Sequence, residues 1–118
     1  MGNGKGCRSI TGKQGGEQYI WLSKDEVNSE NNCYTPGKIV HEILHSFGIY
    51  HEHLRPDRDG YIDIVHDNIV DYSKNIQKFM KMAHISTHNV EYDGKSIMHY
   101  SKNYLSNGNG PTMKSVII

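Results

Sequence analysis

Eight histidines occur among 118 residues, and three of them stand in a pattern able to hold a metal ion. His41 and His45 are four residues apart, so on a helix both imidazoles project from one face about one turn apart. Two nitrogens at that spacing can reach a single zinc ion. Glu42 is turned about 100° around the axis from His41, where a carboxylate can hold water at the metal without ligating it. His51 lies six residues beyond His45, which on a continued helix is about 9 Å further along the axis. Gly48 removes that difficulty, because a left-handed residue there breaks the helix and lets the chain swing His51 back. Three neutral imidazoles leave one zinc coordination position open, the arrangement of a catalytic site rather than a structural one.

The element carrying His41 and His45 is the strongest helix in the chain. Thr35 is a good N-cap, Pro36 suits the first helical position, and Gly48 is the stop. Ile39, Val40, Ile43, Leu44 and Phe47 form an apolar stripe, with Ile39, Val40, Leu44 and Phe47 expected to pack this helix against the core. Upstream, residues 8–13 read as a weak strand and residues 18–23, rich in aromatic and branched side chains, as a better one. A polar loop is expected over residues 25–32. Downstream, residues 55–60 form a charged turn broken by Pro56, and residues 61–65 an extended stretch. Residues 68–82 read as a second helix, with Ile69, Tyr72, Ile76, Phe79 and Met80 at helical spacing. Its Lys74, Lys78 and Lys81 read as a solvated face. Residues 103–111 are turn-forming and irregular.

Composition sets the frame. Thirteen Lys and Arg balance thirteen Asp and Glu, so the net charge is zero and no basic field invites nucleic acid. Leu, Ile, Val and Phe number 25, about 21% of the chain, enough for one small globular domain with a modest core. No apolar run approaches the roughly 18 residues a membrane-spanning helix needs. The opening Met1 to Gly6 lacks the apolar stretch of a secretion signal. Two cysteines, Cys7 and Cys33, cannot make a four-sulfur zinc site and are not a C-x-x-C pair. They are either one disulfide or two buried thiols, and the residues alone leave both open.

Two histidines on one helix face occur by chance, but the glycine and third histidine complete HExxHxxGxxH, the extended zinc-protease pattern. Residues 51–59, His-Glu-His-Leu-Arg-Pro-Asp-Arg-Asp, carry it further and resemble the astacin family of metzincin metalloendopeptidases, marked by the Glu after the third His. Ser96-Ile97-Met98-His99-Tyr100 resembles that family's Met-turn.

The resemblance implies an α+β fold, with a mixed sheet, the zinc helix packed on it and an irregular lower subdomain holding the Met-turn. It implies one zinc per chain on His41, His45 and His51, and Glu42 as the general base that activates zinc-bound water. Met98 corresponds to the apolar floor beneath the metal. Tyr100 corresponds to the tyrosine that binds zinc at rest and swings away to stabilise the tetrahedral intermediate. Cys7 and Cys33 fall where the family has a disulfide. Residues 6–10, with Cys7, Arg8 and Ile10, resemble the edge strand that pairs with extended substrate, Arg8 replacing an aromatic common there. Glu52 resembles the residue that contacts the mature N-terminus. Residues 1–118 then form a central part of the catalytic domain, with its N-terminal strands and C-terminal end outside.

The implied activity is zinc-dependent endopeptidase action on polypeptide substrates by a secreted protein, with no nucleic acid or membrane partner. The alternatives are a truncated, non-catalytic zinc-binding fragment and an interaction module without metal. His53 is expected to form hydrogen bonds, and His66, His84, His88 and His99 to be surface or packed residues.

Overall fold

The computed structural model describes residues 6–24 and 32–116. The chain divides into two compact units, Met1–Tyr50 and His51–Ile118. Helix and strand segregate as an α+β chain should. Among the described residues no helix is long and apolar enough to cross a membrane.

In the first unit, β1 (Cys7–Ser9) pairs antiparallel with β2 (Ile20–Leu22), Cys7 opposite Leu22 and Ser9 opposite Ile20. Both strands are shorter than expected, and the first starts earlier. It ends at Ser9 because the chain turns through Gly12, whose φ of +84° is easy only for glycine. Helix α1 (Pro36–Ser46) lies against both strands. Its ends are as the residues dictate: Thr35 is extended at the N-cap, Pro36 opens the first turn, and Gly48 at φ +96° stops it. The Thr35 side chain makes no capping hydrogen bond, so only its backbone acts as the cap. Residues 25–31, most of the expected polar loop, lie outside the described residues.

The apolar stripe of α1 does not pack as expected. Val40 is 44% exposed and Phe47 77%, while the buried positions of the helix are Glu42 and His45. Burial on this helix thus falls on Glu42 and His45 rather than on the apolar stripe.

Among the described residues of this unit Cys33 is the buried apolar one, bonded to Cys7 with a Cα separation of 5.7 Å. The open choice between disulfide and free thiols is thus resolved, and the covalent link supplements a very small core. Its loop spans 26 residues and contains β2. Chain entropy for such a loop gives a stabilisation of about 3–4 kcal/mol. Cys33→Ser is therefore expected to lower the urea-unfolding free energy by about that amount. A loss under about 1 kcal/mol would show that the fold does not depend on the bond.

The second unit is built on β3 (Ile62–Ile64) and β4 (Met113–Ser115), antiparallel with Ile62 opposite Ser115 and Ile64 opposite Met113. Ile62, Ile69, Phe79, Tyr92 and Met113 form its buried core, with Tyr61, Ile76, Tyr100 and Tyr104 packed around them. Among the described residues the strands form two separate antiparallel pairs rather than the expected mixed sheet.

The second helix is a correction. Residues 68–82 hold one short helix, α2 (Tyr72–Asn75), followed by a 3₁₀ turn over Ile76–Phe79. Ile69 is taken into a β-bridge with Ser106, Val70 N–H donates to the Leu105 carbonyl, and Asp71 turns left-handed at φ +43°. Helical spacing persists, but long-range bonds claim the first turn. Of the expected face, Ile69 and Phe79 are buried while Tyr72 and Met80 are exposed.

Candidate metal centre

The C-terminal half of α1 carries the first two candidate ligands. The His41 and His45 rings meet edge-on with centroids 4.7 Å apart. His45 Nδ1 lies 2.8 Å from the Ile49 carbonyl, which can only accept, so Nδ1 is the donor and Nε2 keeps its lone pair. That tautomer is the one a metal ligand needs. The Ile49 carbonyl reaches His45 because the chain reverses at Gly48, and Ile49 N–H returns to the Leu44 carbonyl at 3.1 Å. His41, His45 and His51 each offer one nitrogen, and these lie within 4.8 Å of one another.

Glu42 is 5% exposed, and its Oε2 has no hydrogen-bond partner among the described residues. A buried carboxylate oxygen without a donor costs several kcal/mol, so the position calls for water or a cation. Three imidazoles accompanied by such a carboxylate form a donor set suited to zinc. The residues fit the ion that the sequence pattern implies.

The second unit arranges the remaining candidates. Met98 is 2% exposed in a tight turn, with Ser96 Oγ accepting from Met98 N–H at 3.1 Å and the Ser96 carbonyl from His99 N–H at 3.0 Å. The Met98 carbonyl accepts from Glu52 N–H at 2.9 Å, tying this turn to the residue after His51. The Tyr100 ring sits 4.2 Å from that of His51, 4.6 Å from His53 and 4.0 Å from Tyr104. His99 Nδ1–H donates to the Tyr100 carbonyl at 2.7 Å, which leaves Nε2 to accept from Tyr92 O–H at 2.5 Å. Burial, with the Glu52 charge adding to it, holds the Tyr92 hydroxyl well above the ordinary tyrosine range. It therefore stays a donor. Beside Tyr100 lies a cavity of about 520 Å³, lined also by Tyr61, Tyr92, His99, Lys102 and Met113.

His53 has the expected hydrogen-bonding role. Its Nε2–H donates to the Lys78 carbonyl at 3.0 Å, and burial pushes its pKa down to about 4, with the His99 and Arg58 charges adding to the effect. Sequence reading missed the arginines around it. Arg58, 7% exposed, donates through Nη1 to the His53 carbonyl at 3.0 Å and the Phe79 carbonyl at 2.6 Å. Arg55 grips Asp57 with two bonds of 2.9 and 2.8 Å and reaches Glu52 at 3.1 Å and the Val90 carbonyl at 2.9 Å. Glu52 Oε1 also accepts from Asp93 N–H at 2.9 Å, so its carboxylate is engaged within this unit. The signal was the density of opposite charges over residues 52–59, read only as a charged turn.

On the first unit, β1 pairs with β2 alone among the described residues, which leaves it an open edge. The Arg8 guanidinium lies 4.7 Å over the Trp21 ring, and Ile10 is 48% exposed. The Ile10 carbonyl is already used by Gln18 Nε2 at 3.2 Å.

Comparison with known proteins agrees with this chemistry. The family model described as Astacin, a peptidase family, matches residues 1–117. Zinc metalloproteinase nas-14 of Caenorhabditis elegans is 38% identical over 109 residues, covering 92% of this chain and 20% of its own length. Blastula protease 10 of Paracentrotus lividus is 40% identical over 111 residues, covering 93% and 17%. High choriolytic enzyme 1, a hatching enzyme zinc-protease of Oryzias latipes, matches in structure with a TM-score of 0.82 at 30% identity. That match covers 98% of this chain and 54% of the other. The chain thus spans about a fifth of the length of these curated relatives.

Proposed function

The chain belongs to the astacin family of metallopeptidases, and on that premise we propose that it supplies the zinc site of an extracellular endopeptidase that hydrolyses peptide bonds in proteins. The observation that carries this reading is the cluster of three histidine nitrogens within 4.8 Å, next in sequence to a buried carboxylate that lacks a donor. The Cys7–Cys33 bond supports the extracellular setting, since such bonds persist in oxidising compartments.

A zinc ion held by His41, His45 and His51 would supply a Lewis acid with a position open to water or substrate. Glu42 accepts a proton from the attacking water and passes it to the leaving amine. Burial suits it to that task, because few competing bonds occupy its carboxylate. Tyr100 donates its hydroxyl proton to the oxyanion that develops, an effect worth about 2.7–4 kcal/mol for one such donor. The ring neighbours His51, His53 and Tyr104 limit where that hydroxyl can go. The open edge of β1 offers backbone groups along which extended polypeptide can align, and the exposed Arg8 and Ile10 side chains would meet its residues. The cavity beside Tyr100 is of a size to receive a side chain.

The test is incubation of the zinc-loaded protein with an unfolded polypeptide, followed by mass analysis. Internal cleavage, abolished by a zinc chelator and restored by added zinc, is the expected result. Zinc uptake without cleavage would contradict the peptidase reading and favour a zinc-binding segment without hydrolysis.

A further inference from the structure

The loop over residues 11–16 is glycine-rich and polar, yet two glutamine side chains claim the carbonyls at its start. Gln18 Nε2 donates to the Ile10 carbonyl at 3.2 Å and the Gly12 carbonyl at 2.9 Å, while its Oε1 accepts from Gln14 N–H at 3.3 Å. Gln14 Nε2 donates to the Thr11 carbonyl at 3.2 Å and again to Gly12 at 3.1 Å. One side chain thus spans the exit of β1 and the turn that follows.

So tied, the loop presents Gly12 N–H to the His45 carbonyl at 2.8 Å, and Gly48 N–H donates to the same carbonyl at 2.8 Å. The two glycines approach closely. A Cβ built on Gly12 would lie 3.9 Å from Gly48 Cα, and one built on Gly48 would lie 3.8 Å from Gly12 Cα. The His45 carbonyl belongs to the last turn of α1, where carbonyls run out of intrahelical donors and must find others. Here one of the two donors comes from a loop fixed by a side chain 27 positions before His45 in sequence.

We propose that Gln18, acting through Gly12, is a positioning residue for His45; the inference rests on the reading of His41, His45 and His51 as zinc ligands. The sequence of contacts runs from the β1 exit through Gln18 to the Gly12 N–H and the His45 carbonyl. From there it reaches the Ile49 carbonyl that orients the imidazole through Nδ1. Without the two bonds donated by Gln18, Gly12 keeps only the longer bond from Gln14, and its N–H is held less firmly on the last turn of α1. The His45 carbonyl then rests on Gly48 N–H alone of these two donors, and the Ile49 carbonyl orients the ring less firmly. Residues that orient a ligand set metal affinity by roughly 10–100-fold, and one acting at this remove belongs at the lower end.

Zinc affinity, read by competition with a chelating dye on the folded chain, tests this. Far-UV circular dichroism and melting of the metal-free protein show whether each variant is folded at the temperature used. Gln18→Ala is expected to raise the zinc Kd about tenfold. Gln18→Glu retains the acceptor for Gln14 N–H but loses both donated bonds, and should behave like Gln18→Ala. A merely structural role would lower the melting temperature and leave the Kd of folded protein unchanged, and that result overturns the proposal. Should Gln18→Ala fail to fold, Gly12→Ala replaces it, because a side chain at φ +84° displaces the donating N–H; an unchanged Kd there is equally fatal. A parent chain that binds no zinc overturns the metal reading together with this one, whereas a binding parent with unaltered variants overturns this one alone.

Discussion

Replacing Glu42 with Gln is expected to leave zinc content unchanged and to lower peptide hydrolysis by more than the roughly 10²–10⁴-fold typical of one acid–base step. In the proposed mechanism the carboxylate is needed twice, once to take a proton from water and once to protonate the leaving amine. A carboxamide is nearly isosteric but accepts no proton. The geometry adds a second expectation. Glu42 Oε2 is buried without a donor among the described residues, so the metal-free Glu42→Gln protein should be no less stable than its parent. Tyr100→Phe in the intact protein should cost less, about 10²–10³-fold, since it removes one hydrogen-bond donor to the intermediate. Kinetics on an unfolded polypeptide, alongside metal analysis, separate these effects. A Glu42→Gln protein that cleaves as fast as its parent with zinc still bound would remove Glu42 from the mechanism.

Arg58→Met should have the largest effect on stability, about 3–5 kcal/mol, because it strips the donor from two buried carbonyls. Both the His53 and Phe79 carbonyls depend on Arg58 Nη1, and the guanidinium also pairs with Asp59 at 2.8 Å. Methionine fills much of the volume and donates nothing. Arg58→Lys should recover only part of the loss, since a point-like ammonium on a flexible stem does not reproduce the planar fork. Urea unfolding measures both. A loss below about 1 kcal/mol for Arg58→Met would mean that water satisfies these carbonyls in the native state.

The histidine cluster was far more legible in the sequence than the packing. His41, His45, Gly48 and His51 declare themselves because metal ligation fixes residue type and spacing together, and the left-handed Gly48 follows from the need to turn the chain. Pro36 and Gly48 likewise mark α1 to within two residues. Packing has no such local code. The apolar stripe of α1 predicted burial of Val40 and Phe47, yet burial depends on which side the strands cover, a long-range fact. Helical spacing over residues 68–82 could not reveal that Ser106 and Leu105 would claim Ile69 and Val70. Strand β4 went unseen because three residues with a single buried apolar position show no alternation. Arg58 was hidden for a related reason: an arginine in a charged turn reads as solvated unless its carbonyl partners, 5 and 21 residues away, are known.

Metal analysis of the purified, folded chain beside its His45→Ala variant tests the account most directly. His45 is the proposed ligand whose tautomer is fixed by the Ile49 carbonyl, and without it two imidazoles remain from the cluster of three. The account predicts about one zinc per parent chain and little or none in the variant at equal dialysis. Equal zinc in the two proteins would contradict it, and the histidine cluster would then not be the metal centre.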